Sequence, residues 1–125
     1  MKENAILVVE DISMNRRLIR DILEYHRYEV VEAENGAEAI RIARECLPCL
    51  ILMDLQMPVM NGLEAAGILK NDPLTKEIKI VAITSFAMAG DKDRVLAAGF
   101  DEYVSKPLNT RELPALIKRL LSSAT

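Results

Sequence analysis

Four apolar residues, Leu50-Ile51-Leu52-Met53, run without interruption into the acid Asp54, and Pro58 and Gly62 break the chain a few residues later. An apolar run this short, closed by turn residues, is a strand covered on both faces, as in parallel sheets. Such a strand needs helices above and below it, which restricts the chain to alternating strands and helices. Asp54 is then the point where the buried strand meets water.

The remaining chain supplies the other layers in order. Ala5-Ile6-Leu7-Val8-Val9 is a second buried strand, ending in Glu10-Asp11, with Ser13 as the expected N-cap of the first helix. Met14, Leu18, Ile19, Ile22 and Leu23 recur at helical spacing and predict one apolar stripe lying on a sheet. Tyr28 to Ala33 is a short strand. Asn35 with Glu38, Asn61 with Glu64, and Asn109 with Glu112 repeat one helix-start device, Asn-x-x-Glu, each time after a strand and a loop. Ile78 to Ile83 is a fourth strand ending at Thr84-Ser85, and Asp101 to Ser105 a fifth, followed at once by Lys106-Pro107. The helix between them, roughly Ala89 to Ala98, has a thin apolar side and is expected to be mobile. Leu113, Leu116, Ile117, Leu120 and Leu121 define the last helix.

Five strands alternating with five helices imply right-handed crossovers and an α/β, flavodoxin-like, doubly wound parallel sheet with helices on both faces. The expected strand order is 2-1-3-4-5, which places a ligand-binding crevice beyond the carboxyl ends of strands one and three. With 125 residues the chain fits a single domain over 1–125 that needs no disulfide or structural metal. Its 16 basic residues are scattered against 19 acidic ones, which leaves no electrostatic footprint for nucleic acid. No apolar run approaches the roughly 20 residues of a membrane span, and no signal peptide opens the chain, so no membrane and a cytoplasmic location are expected. Cys46-Leu-Pro-Cys49 closes a helix instead of opening one, where no helix N-terminus lowers a thiol pKa; two partly buried thiols are expected.

The strand ends deliver Glu10 and Asp11, Asp54, Thr84 and Lys106 to one rim. Taken singly, each has a plain reading as a helix cap, a strand-end hydroxyl or a surface amine. Taken together they call for compensation, because three carboxylates about 5 Å apart repel by roughly 3 kcal/mol per pair at an effective dielectric near 20. Hard oxygen ligands at an open, partly hydrated site select Mg²⁺, with Mn²⁺ as a substitute. A carboxylate nucleophile, a divalent ion, a lysine and a hydroxyl donor are the parts for phosphoryl transfer onto Asp54.

The order of Glu10-Asp11, the Met53-Asp54 to Met57-Pro58 and Asn61-Gly62 segment, Thr84-Ser85 and Lys106-Pro107 resembles the receiver domain of two-component response regulators over essentially the whole chain. The resemblance implies that Asp54 is the phosphoacceptor, that Asp11 ligates Mg²⁺ directly and Glu10 mostly through water, and that Asp54 and the Gln56 backbone carbonyl are further ligands. It also implies that Lys106 holds a phosphoryl oxygen, that Lys106-Pro107 is cis, and that Thr84 hydrogen-bonds the phosphoryl group. Tyr103 is implied as the aromatic that turns inward with Thr84; from the residues alone it reads equally as a half-buried strand aromatic. Gln56 and Phe86 stand where the family tunes dephosphorylation. Asn61-Gly62 replaces the Asp-Gly of many members, which changes local charge but removes no required group. The run from Thr84 to Asp91 is most like receivers of hybrid kinases and stand-alone cell-cycle regulators.

The implied partners are a histidine kinase or histidine phosphotransferase and a downstream protein target, met through the face of helix four, strand five and helix five, by a monomer or a weak phosphorylation-dependent dimer. Three other readings fit less well. An aspartate-nucleophile phosphohydrolase wants Asp-x-Asp, and the second position here is Gln56. A flavodoxin-like nucleotide binder wants a phosphate cradle rich in Gly, Ser and Thr, where Glu10-Asp11 would repel phosphate. A receiver that works without phosphorylation need not keep all five site residues.

Overall fold

A computed structural model of the chain describes residues 2–55, 60–84, 91–105 and 111–122. Its elements alternate as β1 (Lys2–Val9), α1 (Ser13–Tyr25), β2 (Glu29–Ala33), α2 (Gly36–Cys46), β3 (Pro48–Asp54), α3 (Gly62–Lys70), β4 (Lys79–Thr84), α4 (Asp91–Ala97), β5 (Glu102–Ser105) and α5 (Glu112–Ser122). The strands form one parallel sheet in the order β2-β1-β3-β4-β5. This is the doubly wound arrangement expected from the sequence.

The apolar strand runs explain why the sheet is central. Every residue of β3 is buried, and Leu50, Ile51, Leu52 and Met53 are fully so. Alternate side chains of a strand face opposite ways, so such a run has to feed two cores. Ile6, Val8, Leu50, Leu52, Val81 and Ile83 pack against α1 and α5, through Ile19, Ile22, Leu23, Leu113 and Ile117. Leu7, Val9, Ile51, Met53, Ile80 and Ala82 pack against α2, α3 and α4 on the other side. Each fully buried Leu or Ile contributes on the order of 1.5–3 kcal/mol.

The helix starts at Asn35 and Asn61 behave as their spacing predicts: each Asn Oδ1 accepts the backbone N–H of the Glu three residues on, at 2.9 Å. Asn109 lies outside the described residues. At α1 the expectation fails, because Ser13 is the first helical residue, and Ile12 occupies the cap position without a side-chain bond. The apolar stripe of α1 is also narrower than its spacing suggests. Ile19, Ile22 and Leu23 are buried, whereas Met14 is 81% and Leu18 49% exposed. The helix is rotated so that its i, i+3, i+4 row contacts the sheet and the flanking positions miss it.

A polar clamp closes the end of the sheet opposite the acidic residues. Lys70, the last residue of α3, donates to the carbonyl of Ile78 at 2.9 Å and to Asp101 Oδ2 at 3.0 Å. Asp101 also accepts the Ile80 N–H at 2.8 Å, and its own N–H donates to the Ile80 carbonyl at 2.8 Å. One carboxylate therefore ties α3, β4 and the turn into β5 together. Asp101→Ala removes a charge-assisted acceptor, taking the ion-pair partner from Lys70 and the acceptor from the Ile80 N–H, so a loss of about 1.5–3 kcal/mol is expected, read as a lowered urea midpoint with an unchanged m-value.

Candidate functional site

Strand register brings the acids together. Val9 of β1 pairs with Met53 of β3, and Asp54 pairs with Ile83 of β4. Glu10 and Asp54 are thus the residues at which two adjacent central strands reach the same edge, and Thr84 stands one residue beyond on the next strand. Glu10 is fully buried, Asp54 is 3% exposed and Asp11 is exposed. Carboxylate oxygens of Glu10, Asp11 and Asp54 all lie within 4.8 Å of one another.

Three negative charges at that spacing, two of them shielded from water, are costly unless positive charge stands among them. A divalent cation fits the donor set, since hard oxygens on an exposed-to-buried gradient leave room for a partly hydrated ion. Of the residues expected at this site, Gln56 and Lys106 lie outside the described residues, as do Pro107 and Phe86.

Thr84 is 3% exposed at the end of β4. Tyr103 pairs with Ala82, Thr84 with Ser105, so Tyr103 and Thr84 are two steps apart on neighbouring strands. Strand alternation puts both on one face of the sheet, and Tyr103 packs partly buried against the core beneath α2, α3 and α4. The structure brings Glu10, Asp11, Asp54 and Thr84 to one edge and sets Tyr103 a short distance behind it.

Two glycines, the first residues of α2 and α3, shape this edge. A Cβ on Gly62 would lie 2.7 Å from the Asp54 carbonyl oxygen, and one on Gly36 would lie 2.7 Å from the Met60 carbonyl oxygen. Gly62 also donates its N–H to the Leu55 carbonyl at 3.2 Å. The start of α3 is therefore packed directly onto the backbone of the strand that ends in Asp54, and only glycine permits that approach.

A family model described as the response regulator receiver domain matches residues 6–118. The chain belongs to the response regulator receiver family. This receiver is 41% identical to the polar-differentiation response regulator DivK of Brucella anthropi over 120 residues, 96% of this chain and 98% of that one. It is a signalling domain of two-component systems, similar to DivK. Among solved structures, the receiver domain of a signal transduction histidine kinase from Syntrophus aciditrophicus superposes with a TM-score of 0.88 at 33% identity, covering 96% of this chain and 91% of that one. The receiver domain of sensor histidine kinase PA1611 from Pseudomonas aeruginosa superposes with a TM-score of 0.89 at 31% identity, covering 95% and 98% respectively. That structure carries a magnesium ion coordinated in its active-site cleft.

The receiver's two cysteines stand apart from this edge. Cys46 is the last residue of α2 and half-buried, while Cys49 is buried in β3 and donates from Sγ to the Ala5 carbonyl at 3.2 Å. Burial pushes the Cys49 thiol above the ordinary range, and it pushes the neighbouring Tyr28 hydroxyl up as well. Both cysteines are free thiols. Because the thiolate is the reactive form, Cys46 should label with a disulfide reagent at pH 8 well before Cys49, whose labelling should wait for denaturant. Equal native-state rates would contradict the placement of Cys49.

Proposed function

We propose that this chain is a phosphoacceptor switch, in which Asp54 receives a phosphoryl group from the histidine of a kinase or a histidine phosphotransferase. The observation that carries the reading is the cluster of Glu10, Asp11 and Asp54, with oxygens within 4.8 Å, at the carboxyl edge of a receiver-family sheet. In the transfer, the phosphorus–nitrogen bond of the donor phosphohistidine breaks as a bond forms from an Asp54 carboxylate oxygen. The imidazole is released and Asp54 becomes an acyl phosphate.

Each residue has a distinct part. Asp54, held at the end of a rigid and fully buried strand, presents the nucleophilic oxygen with little orientational freedom to lose. Asp11, Glu10 and the Gln56 backbone carbonyl would hold Mg²⁺ beside it, as the acidic donor set favours. Mg²⁺, when bound, supplies positive charge for the transferring phosphoryl oxygens. Thr84 donates its hydroxyl to a phosphoryl oxygen, and Lys106 pairs with another.

The signal then passes through the fold. Thr84 drawn toward the phosphoryl group frees space on its face of the sheet, into which Tyr103 turns, and the α4, β5 and α5 face changes its population. A downstream protein reads that face. A single domain acting in the cytoplasm, as a monomer or a weak phosphorylation-dependent dimer, suits this role, and no helix among the described residues is long and apolar enough to cross a membrane.

Acetyl phosphate with Mg²⁺ should add one phosphoryl mass to the wild-type chain and none to Asp54→Asn, with the adduct lost at alkaline pH as expected for an acyl phosphate. An equal mass gain in both chains would overturn the assignment of Asp54.

A further inference from the structure

The β1–α1 turn that carries Glu10 and Asp11 is held by a side chain with no counterpart among the residues assigned above. Arg16, in the first turns of α1, donates from Nη1 to the backbone carbonyl of Glu10 at 2.8 Å. Its Nε lies 3.4 Å from Glu32 Oε2 and its Nη2 lies 3.7 Å from Glu34 Oε1. The side chain is only 14% exposed. Glu10 in turn donates its N–H to the carbonyl of Ala33, the residue between those two glutamates. A single guanidinium therefore joins the start of α1, the end of β1 and the end of β2, around the residue where the acidic edge begins.

The Glu10 carboxylate is steadied from the same helix. Its Oε1 faces the Asn15 side-chain amide and the Ile12 N–H, each at 3.4 Å. Asn15 and Arg16 thus meet Glu10 from consecutive positions, the first at the carboxylate and the second at the carbonyl. A planar fork spreads five donors over three nitrogens and can reach a carbonyl and two carboxylates that stand apart, whereas a lysine's three donors radiate from one nitrogen.

We propose that Arg16 is a positioning residue for the cation site: it fixes the turn so that Glu10 and Asp11 stand where a divalent ion needs them. The inference rests on the reading of that edge as a cation and phosphoryl site. A small hard cation demands near-ideal octahedral geometry, so displaced ligands cost affinity even when none is lost. Groups that orient ligands without touching the metal are worth 10- to 100-fold in affinity. Charge acts in the opposite sense: a cationic side chain beside three carboxylates weakens cation binding, and its removal would tighten it. Glu34 and Glu32, the latter shared with Arg20 at 2.9 Å, offset part of that charge, so the positioning effect should dominate.

The sign of the change therefore decides between the two effects. Mn²⁺ serves as the probe, with free ion read by electron paramagnetic resonance in titrations of the full chain. Arg16→Gln should weaken Mn²⁺ binding by about 10-fold, and Arg16→Lys, which keeps the charge but loses the fork, should fall between it and wild type. Circular dichroism without metal checks that each variant is folded; should Arg16→Gln not fold, Arg16→Lys alone must show weakened binding. Unchanged or tighter binding in a folded variant, including one with a lower melting temperature, would overturn the proposal. Asp11→Asn separates this from the underlying reading: if wild type binds no Mn²⁺, or Asp11→Asn binds as wild type does, the cation site itself is wrong, and the role of Arg16 falls with it.

Discussion

The mutual repulsion of three carboxylates is the constraint around which this receiver is arranged. Oxygens of Glu10, Asp11 and Asp54 within 4.8 Å of one another, two of the groups shielded from water, repel by several kcal/mol in total even at an effective dielectric near 20. The sheet imposes the arrangement. Register pairs Val9 with Met53, which sets the following residues, Glu10 and Asp54, beside each other at the edge. Because β1 and β3 are buried on both faces, a one-residue slide would exchange the side chains packed into the two cores and disrupt both, which keeps the acids where they are. Hydrophobic burial thus holds three carboxylates close together at this edge, an arrangement that a divalent cation would relieve.

The supports of that edge lie at different distances from it. Gly62 allows α3 to abut the Asp54 backbone, where a Cβ would stand 2.7 Å from the carbonyl oxygen. Arg16 braces the turn that carries Glu10 and Asp11. At the far end of the sheet the Lys70–Asp101 pair fastens α3 to β4 and to the turn into β5. A site built on the ends of buried strands, braced by packing and hydrogen bonds, is more rigid than one built on loops. That rigidity suits the phosphoacceptor role proposed for Asp54, whose chemistry would be mainly orientation and charge.

Much of this was legible in the chain itself, because the signals were local. Uninterrupted apolar runs marked the buried strands, and Asn35 and Asn61 marked helix starts that the structure realises with 2.9 Å capping bonds. The acids at strand ends followed once the alternation of strands and helices was clear. What local pattern could not supply was the rotation of α1. Met14 and Leu18 share the helical spacing of Ile19 and Ile22 yet face outward, and only the position of the sheet decides which side of a broad stripe is buried. The close approaches at Gly36 and Gly62 and the reach of Arg16 across three elements were equally hidden. They join residues whose proximity arises only when the sheet assembles, and a glycine after an asparagine or an arginine on a helix carries no sequence mark of such a role.

The claim that a divalent cation relieves the acidic edge is tested most directly by thermal unfolding with and without Mg²⁺. A ligand that binds the folded state stabilises it by mass action, about 2.7 kcal/mol at one hundred times its Kd. Wild type should therefore melt several degrees higher in saturating Mg²⁺, while Asp54→Asn, with one charge fewer at the edge, should melt higher than wild type in the absence of metal and gain less from it. Equal Mg²⁺ responses in the two chains, or none in wild type, would contradict the account.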